Sequence, residues 1–475
     1  MRTMPLLLAI CLVKAMSAYA EAPSGDEARQ ALKRAAVFFN ETVTVEGGYL
    51  WRYSADLAQR EGEVKATATE SWVQPPGTPT VGEAYLAAYE ATGDPYYLEA
   101  ARKSARALVH GQLQSGGWEY RLEAGTEKRK AYAFRADNNE SGKNVSTLDD
   151  NTTQAALQFL MKFDKAVQFK DPSVHEAVEY ALAKLMEVQF PNGAWPQRFS
   201  GPLDPAEHPV IKASYPESWS RDYVQRSYYG HYTFNDGGIS DTIDTMLLAH
   251  DIYDITAYRD SAIKAGDFIL LAQMPDPQPG WAQQYDANMH PAWARKFEPP
   301  AITGGESQGV MRTLIQLSLR TGERRFLEPI PRALAYYRAS VLPDGRLARF
   351  YELQTNRPLF FTKDYQLTYS SDDMPTHYSF ITSNSLDSIQ DEYEVAVRTL
   401  DEKEGSKKSV RVPRAVPADP VAVREAIDGL DARGAWVTTG RLRSEGEDGD
   451  TRQIIDSSVF CTNIRILTAY IRARQ

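Results

Sequence analysis

Cysteine is almost absent from this 475-residue chain, which has only Cys11 and Cys461. Cys11 falls inside a leader-like N-terminal stretch. Without that stretch one cysteine remains, so no intrachain disulfide can form, and a chain of this length must rely on its core. Cys461 lies in an apolar helical pattern over 454–471 and reads as a buried small hydrophobe. Histidine is scarce too, at seven residues, and no Cys/His spacing suits a zinc site. There is no basic surplus: 53 Lys and Arg face 63 Asp and Glu, for a net charge of −10, which disfavours a nucleic-acid partner. No run of about 18 apolar residues is present that could cross a bilayer as a helix. With 43% hydrophobic and 24% charged residues, the composition excludes collagen-like and wholly disordered chains.

Residues 1–20 carry the marks of a secretory signal. Arg2 makes a basic start, Pro5 to Val13 is a short apolar run, and Ala18-Tyr19-Ala20 is a small-x-small site before Glu21. Export to the periplasm or the extracellular space is expected, with no membrane contact after cleavage. Removing Arg2 and Lys14 with the leader would take the charge from −10 to −12.

One motif recurs, a glycine followed by aromatic residues and often arginine or glutamine. It stands as Gly48-Tyr49-Leu50-Trp51-Arg52-Tyr53, Gly117-Trp118-Glu119-Tyr120-Arg121, Gly193-Ala194-Trp195-Pro196-Gln197-Arg198-Phe199 and Gly280-Trp281-Ala282-Gln283-Gln284-Tyr285. Weaker copies follow at Gly345 and Gly434. Between the copies lie pairs of helical patterns, with apolar residues at i, i+3, i+4 and i+7: 81–92 with 95–114, 152–166 with 172–190, 241–254 with 258–273, and 309–321 with 324–341. Alternating strands are few. Helical hairpins repeated every 65 to 89 residues predict an all-α fold, an α/α toroid or a helical solenoid, with its long loops on one face. The N-termini of all descending helices would share that face. The polar segment 401–420 reads as a linker or insertion, and 421–475 as closing helices.

Carboxylates cluster where the descending helices begin: Leu148-Asp149-Asp150-Asn151, then His231-Tyr232-Thr233-Phe234-Asn235-Asp236-Gly237, then Thr303-Gly304-Gly305-Glu306. Helix capping is the simple explanation for any one of them. Two adjacent aspartates exceed what a cap needs, however, and convergent oxygens suit calcium, which takes six to eight of them. His231 reads as a hydrogen-bonding residue rather than a metal ligand. Arg295, Arg349 and Arg357 fall on the same predicted face, interleaved with tryptophan and tyrosine. Guanidinium forks grip carboxylates and aromatic faces stack on sugars, so the combination points to an acidic polysaccharide.

At these stretches the sequence resembles the family 10 polysaccharide lyases, the pectate lyases. The matching segments are Asp149–Leu160, Gly193–Gln197, His231–Asp236, Trp281–Glu306 and Ala348–Pro358, in order over roughly half the chain. The resemblance implies a secreted, monomeric α/α barrel that cleaves polygalacturonate by calcium-assisted β-elimination. It puts the proposed arginine base on Arg295, one calcium carboxylate on Asp236, and a second on Asp149 or, if the alignment slips by one residue, Asp150. The substrate contacts fall on Asn151, Asp286, Lys296, Arg349, Arg357, Trp195, Trp281 and Tyr351. On this reading 146–400 is the catalytic module and 21–145 adds N-terminal repeats packed on it. The stretch before Asp236 is longer than the family's usual one, with Tyr215 to Tyr229 rich in Trp, Tyr and Arg. Two rival readings stay open. One is a glycoside hydrolase using Asp150 with Asp236 or Glu306 and no metal. The other is a non-catalytic glycan-binding protein.

Overall fold

The helical hairpins expected from the spacing all form, with ends set by residues that cannot continue a helix or that satisfy its free N–H groups. The structure, a computed structural model, describes residues 22–405, 419–446 and 449–475; the leader and most of the expected linker lie outside the described residues. Among the described residues there are thirteen α-helices: α1 (Gly25–Phe38), α2 (Thr78–Thr92), α3 (Pro95–His110), the short α4 (Thr126–Arg129), α5 (Thr152–Ala166), α6 (Pro172–Glu187), α7 (Gly238–Tyr253), α8 (Thr256–Ala272), α9 (Glu306–Thr321), α10 (Ile330–Ala339), α11 (Leu386–Gly405), α12 (Pro420–Asp428) and α13 (Ser457–Arg472). In the turn between α2 and α3, Gly93 takes a left-handed conformation, Asp94 accepts the Tyr96 N–H at 2.9 Å and Pro95 fixes the first helical φ.

The helices form two concentric series. Side-by-side packing runs from α13 to α2, α5, α7, α9 and α11, while α1, α3, α6, α8, α10 and α12 lie outside. Burial follows this placement. α7 buries Ile239, Thr242, Ile243, Thr245, Met246, Leu247 and Ala249, most of its circumference. α3 buries only the stripe Tyr97, Ala100, Ala101, Ser104, Ala105 and Leu108 and turns its other face to water. The fold is an all-α toroid with a few short antiparallel strands at its rim.

The ends of the chain close the ring. α1 packs on α12 and α13, strand Arg52–Ser54 pairs antiparallel with Gln453–Asp456, and the Tyr470 hydroxyl donates to the Pro23 carbonyl at 2.6 Å. One cluster of buried apolar side chains extends from Ala28 to Ile471. Residues 401–405, expected to begin a linker, continue α11. Cys461 is buried in α13, and burial pushes its thiol up to about 12, so it behaves as the apolar residue the sequence suggested.

The repeated motif has a structural purpose. A glycine that opens the motif, or stands just before it at Gly47, bends the chain back onto the next outer helix so closely that no side chain fits. A Cβ on Gly47 would lie 2.2 Å from the Lys103 carbonyl oxygen of α3, one on Gly193 2.0 Å from that of Lys264 in α8, and one on Gly434 2.6 Å from that of Arg34 in α1. All three have positive φ. The last contact, from the loop after α12 onto α1, repeats the geometry of the others and so joins the end of the ring to its beginning. The tryptophan that follows donates its indole N–H to a carbonyl in the last turns of the preceding outer helix: Trp118 to Leu108, Trp195 to Leu185, Trp281 to Ile269 and Trp436 to Ala426, at 2.7–2.9 Å. These carbonyls belong to helix ends, where the regular ladder runs out; that of Leu108 also accepts the Gly111 N–H at 3.0 Å.

Candidate active site

The N-termini of α5, α7 and α9 meet on one face. Two of them begin with the same turn. Leu148-Asp149-Asp150-Asn151 and Phe234-Asn235-Asp236-Gly237 share their backbone conformation, with Asp150 at φ 49° and Asp236 at φ 47°. In each turn a threonine hydroxyl two residues upstream accepts the backbone N–H of the preceding residue: Thr147 from Asp149 at 3.1 Å and Thr233 from Asn235 at 3.0 Å. Left-handed backbone is costly for a residue with a Cβ, least so for Asp and Asn, and here it aims both carboxylates outward.

The simple capping explanation fails for these residues. No side chain caps α5 or α7, and the carboxylates accept from other side chains. Tyr120 donates to Asp149 Oδ2 at 2.9 Å, Gln74 Nε2 to Asp150 Oδ2 at 2.9 Å, and Asn235 Nδ2 to Asp236 Oδ2 at 2.5 Å. One oxygen from each of Asp149, Asp150 and Asp236 lies within 4.8 Å of the others. Loss of water together with the charges of Asp149 and Asp236 pushes the Asp150 carboxyl up to about 7. Asp236 is raised by loss of water and by Asp149, with Arg295 and Arg349 acting against this. Asp149 and Asp150, the two alternatives for the second carboxylate, both stand in the cluster.

Arginines face this negative charge. Arg295 is held by Glu298, which is 1% exposed: Nε donates to Oε2 at 2.7 Å, the terminal nitrogen to Oε1 at 2.5 Å, and the Arg295 backbone N–H to Oε2 at 3.0 Å. Burial alone would lower the pKa of Arg295; the pairing outweighs it and raises the pKa above the ordinary arginine value. Gln283 and Tyr378 complete the shell of Glu298, at 2.6 and 3.0 Å from Oε1. Arg349 pairs with Glu306 and lies 4.4 Å from the centre of the Tyr378 ring. Asp236, Glu306 and Arg349 line a cavity of 260 Å³ between the starts of α7 and α9.

Residues 121–347 match the family of pectic acid lyases. This segment is similar to the polysaccharide lyases of that family. No curated protein matches the chain. Among solved structures, the family 10 polysaccharide lyase from Cellvibrio cellulosa is similar at 20% identity, over 67% of this chain and 97% of that one, with a TM-score of 0.46. Cellobiose 2-epimerase from Bacillus thermoamylovorans is similar at 13% identity, over 94% and 99%, with a TM-score of 0.45. A D-mannose isomerase is similar at 14% identity, over 96% and 100%, with a TM-score of 0.44.

Within the matched segment and the hairpin that follows it, the structure divides the expected residues. Asp149, Asp150, Asn151, Asp236, Arg295 and Arg349 come together. The Asn151 Oδ1 atom is buried and accepts nothing. Lys296 stands over the Tyr365 ring, 3.4 Å from its centre, and Arg357 over Tyr369, also at 3.4 Å, both outside the acidic cluster. Asp286 fixes a turn by accepting the backbone N–H groups of Asn288 and His290 at 2.9 and 3.0 Å, and it lines a neighbouring cavity of 380 Å³ with His231, Trp219 and Trp293. Burial lowers the pKa of His231, and its Nδ1 has no partner, so the hydrogen bond expected of that ring is missing.

Trp195, Trp281 and Tyr351, expected to stack on sugars, are corrections. They are at most 1% exposed and serve the fold: the indoles latch helix ends, while the Tyr351 hydroxyl accepts the Ala348 N–H at 2.9 Å and donates to the Ser340 carbonyl at 2.7 Å. A repeated aromatic marks the repeated unit before it marks a ligand. Glu298, Tyr378, Tyr120 and Gln74 went unnoticed as site residues. Glu298 was visible as the glutamate three residues after Arg295; nothing local marks Gln74, which reaches Asp150 across 76 residues.

Proposed function

We propose that the protein is an exported, monomeric pectate lyase that cleaves polygalacturonate by β-elimination and requires calcium. The observation that carries this reading is the convergence of Asp149, Asp150 and Asp236 within 4.8 Å, opposite Arg295 and Arg349. The donor set suits a hard cation. It is all oxygen, and Asp149 Oδ1, Asn151 Oδ1 and Asn235 Oδ1 are buried there with no hydrogen-bond donor. Calcium would supply positive charge to the substrate carboxylate, whose own negative charge makes the neighbouring C5–H a poor acid.

The chain's residues supply the rest. Arg349 adds a fixed cation beside Asp236, favouring a bound uronate. Arg295 takes the C5 proton as the C4–O bond breaks, the electron pair forms the C4–C5 double bond, and the departing oxygen is protonated by water. For an ordinary arginine, deprotonation at pH 8 costs about 6–8 kcal/mol. Glu298 adds to that cost, so the reaction belongs to alkaline medium. The signal-like start of the chain and a polymeric substrate both support export.

The test is ultraviolet absorbance of polygalacturonate incubated with the protein, with calcium and with chelator. A calcium-dependent rise reports the new double bond. New reducing ends without absorbance would mean hydrolysis, and neither signal would leave a binding role.

A further inference from the structure

A second basic position on the site face has no counterpart in the reaction described above. Arg198 follows the buried motif Trp195-Pro196-Gln197 and pairs across the strands with Thr147, two residues before Asp149. Its guanidinium lies between two tyrosines, 4.5 Å from the centre of the Tyr229 ring and 5.8 Å from that of Tyr120. The phenol of Tyr120 donates to Asp149. Tyr229 arrives from the long stretch before Asp236 and is tied down through its backbone carbonyl, which accepts the Gln197 N–H at 3.2 Å. Arg295, Arg349 and Arg221 all have a carboxylate partner, in Glu298, Glu306 and Glu352. Arg198 has none among the described residues, and its Nε is buried without a hydrogen-bond acceptor. It is a cation held in place by ring faces, with the Tyr120 hydroxyl beside it and no carboxylate in its fork.

We propose that Arg198 and Tyr229 form a further uronate subsite beside the acidic cluster. Arg198 would grip the carboxylate of one sugar, and the 38% exposed Tyr229 ring would cover a sugar face. A guanidinium fork matches a carboxylate in two parallel bonds, and an exposed tyrosine supplies the apolar platform a pyranose prefers. The subsite selects for chains long enough to reach past the cleavage point and for an unesterified acid at that position. It rests on the lyase reading and deepens it. The bland alternative is that Arg198 is only a distant counter-charge to Asp149.

Steady-state kinetics of wild type, Arg198→Gln and Tyr229→Ala on tri- and hexagalacturonate separate these readings. Binding of both oligomers without calcium, by calorimetry, is the second measurement. With the subsite, Arg198→Gln raises KM for the hexamer about tenfold, raises it little for the trimer, and leaves the calcium concentration for half-maximal rate unchanged. Tyr229→Ala changes KM in the same direction, and its exposed ring makes misfolding no explanation. A KM that does not move, with a shifted calcium requirement in Arg198→Gln, would identify a counter-charge and overturn the subsite. If wild type cleaves and binds and both variants match it, the subsite alone is wrong. If wild type neither cleaves nor binds any uronate oligomer, the lyase reading falls, and the subsite with it.

Discussion

Asp150 is the residue whose charge depends most on what binds beside it. Its carboxyl is pushed up to about 7 in the folded protein, against an ordinary value of 3.8. The folded state therefore holds a proton that the unfolded state has released, and protein without calcium should lose stability as pH rises from about 4 to 7. Added calcium should reverse that loss, because it stabilises the ionised form and displaces the proton. Thermal melts across pH 5–8, with calcium and with chelator, check both signs. Asp150→Asn should flatten the curve obtained in chelator. A wild-type curve already flat without calcium would show that the cluster carries no excess charge.

Arg295 offers a second test at this scale. As a base whose pKa is raised above the ordinary arginine value, it makes log kcat/KM climb with pH, about one unit per pH unit, throughout the accessible range. Glu298→Gln removes the charge that raises it, so the whole line should lie higher at each pH and level off at lower pH. If the climb stays put in that variant, or wild type is flat above neutral pH, Arg295 acts as a fixed cation and another group takes the proton. These site residues were legible because Asp149, Asp150, Asp236 and Arg295 sit in short contiguous motifs. Gln74, Tyr120 and Tyr378 were not, because each reaches its carboxylate (Asp150, Asp149 and Glu298 respectively) across neighbouring repeats rather than through local sequence.

Elements were legible for a different reason. The hairpins announce themselves by period: 152–166 coincides with α5, and the other boundaries shift by a few residues at ends where a turn or a cap decides. The recurrent tryptophans are legible as a repeat but not in their role. Periodic aromatics suit both a sugar platform and a buried latch, and only burial separates the two. The latch is testable. Trp281→Phe keeps an aromatic ring, though a smaller one, and removes the N–H that satisfies the Ile269 carbonyl. It should cost about 1–3 kcal/mol of stability, read as a lower denaturation midpoint, while leaving KM for polygalacturonate near wild type. A sugar-stacking tryptophan would show the opposite pattern, with KM raised and stability retained.

At the scale of the molecule, the ring explains how residues from 74 to 378 meet: descending inner helices bring their N-termini to one rim, and three of these termini carry the carboxylates. The same scale raises an electrostatic problem. The chain carries a net charge of −10, while the substrate proposed for it is a polyanion. At long range the two repel. Close in, Arg198, Arg295 and Arg349 attract, and these contacts are the least sensitive to salt. The screening length falls from about 30 Å at 0.01 M salt to about 10 Å at 0.1 M, which removes the long-range repulsion first. At saturating calcium, kcat/KM for polygalacturonate should therefore rise over that interval and fall only at higher salt, where contact pairs weaken. Trigalacturonate, with three charges, should respond much less. The measurement is initial rate against sodium chloride for both substrates. A steady fall from the lowest salt would mean that the arginine face, not the net charge, governs approach, as a cleft that focuses its own field would.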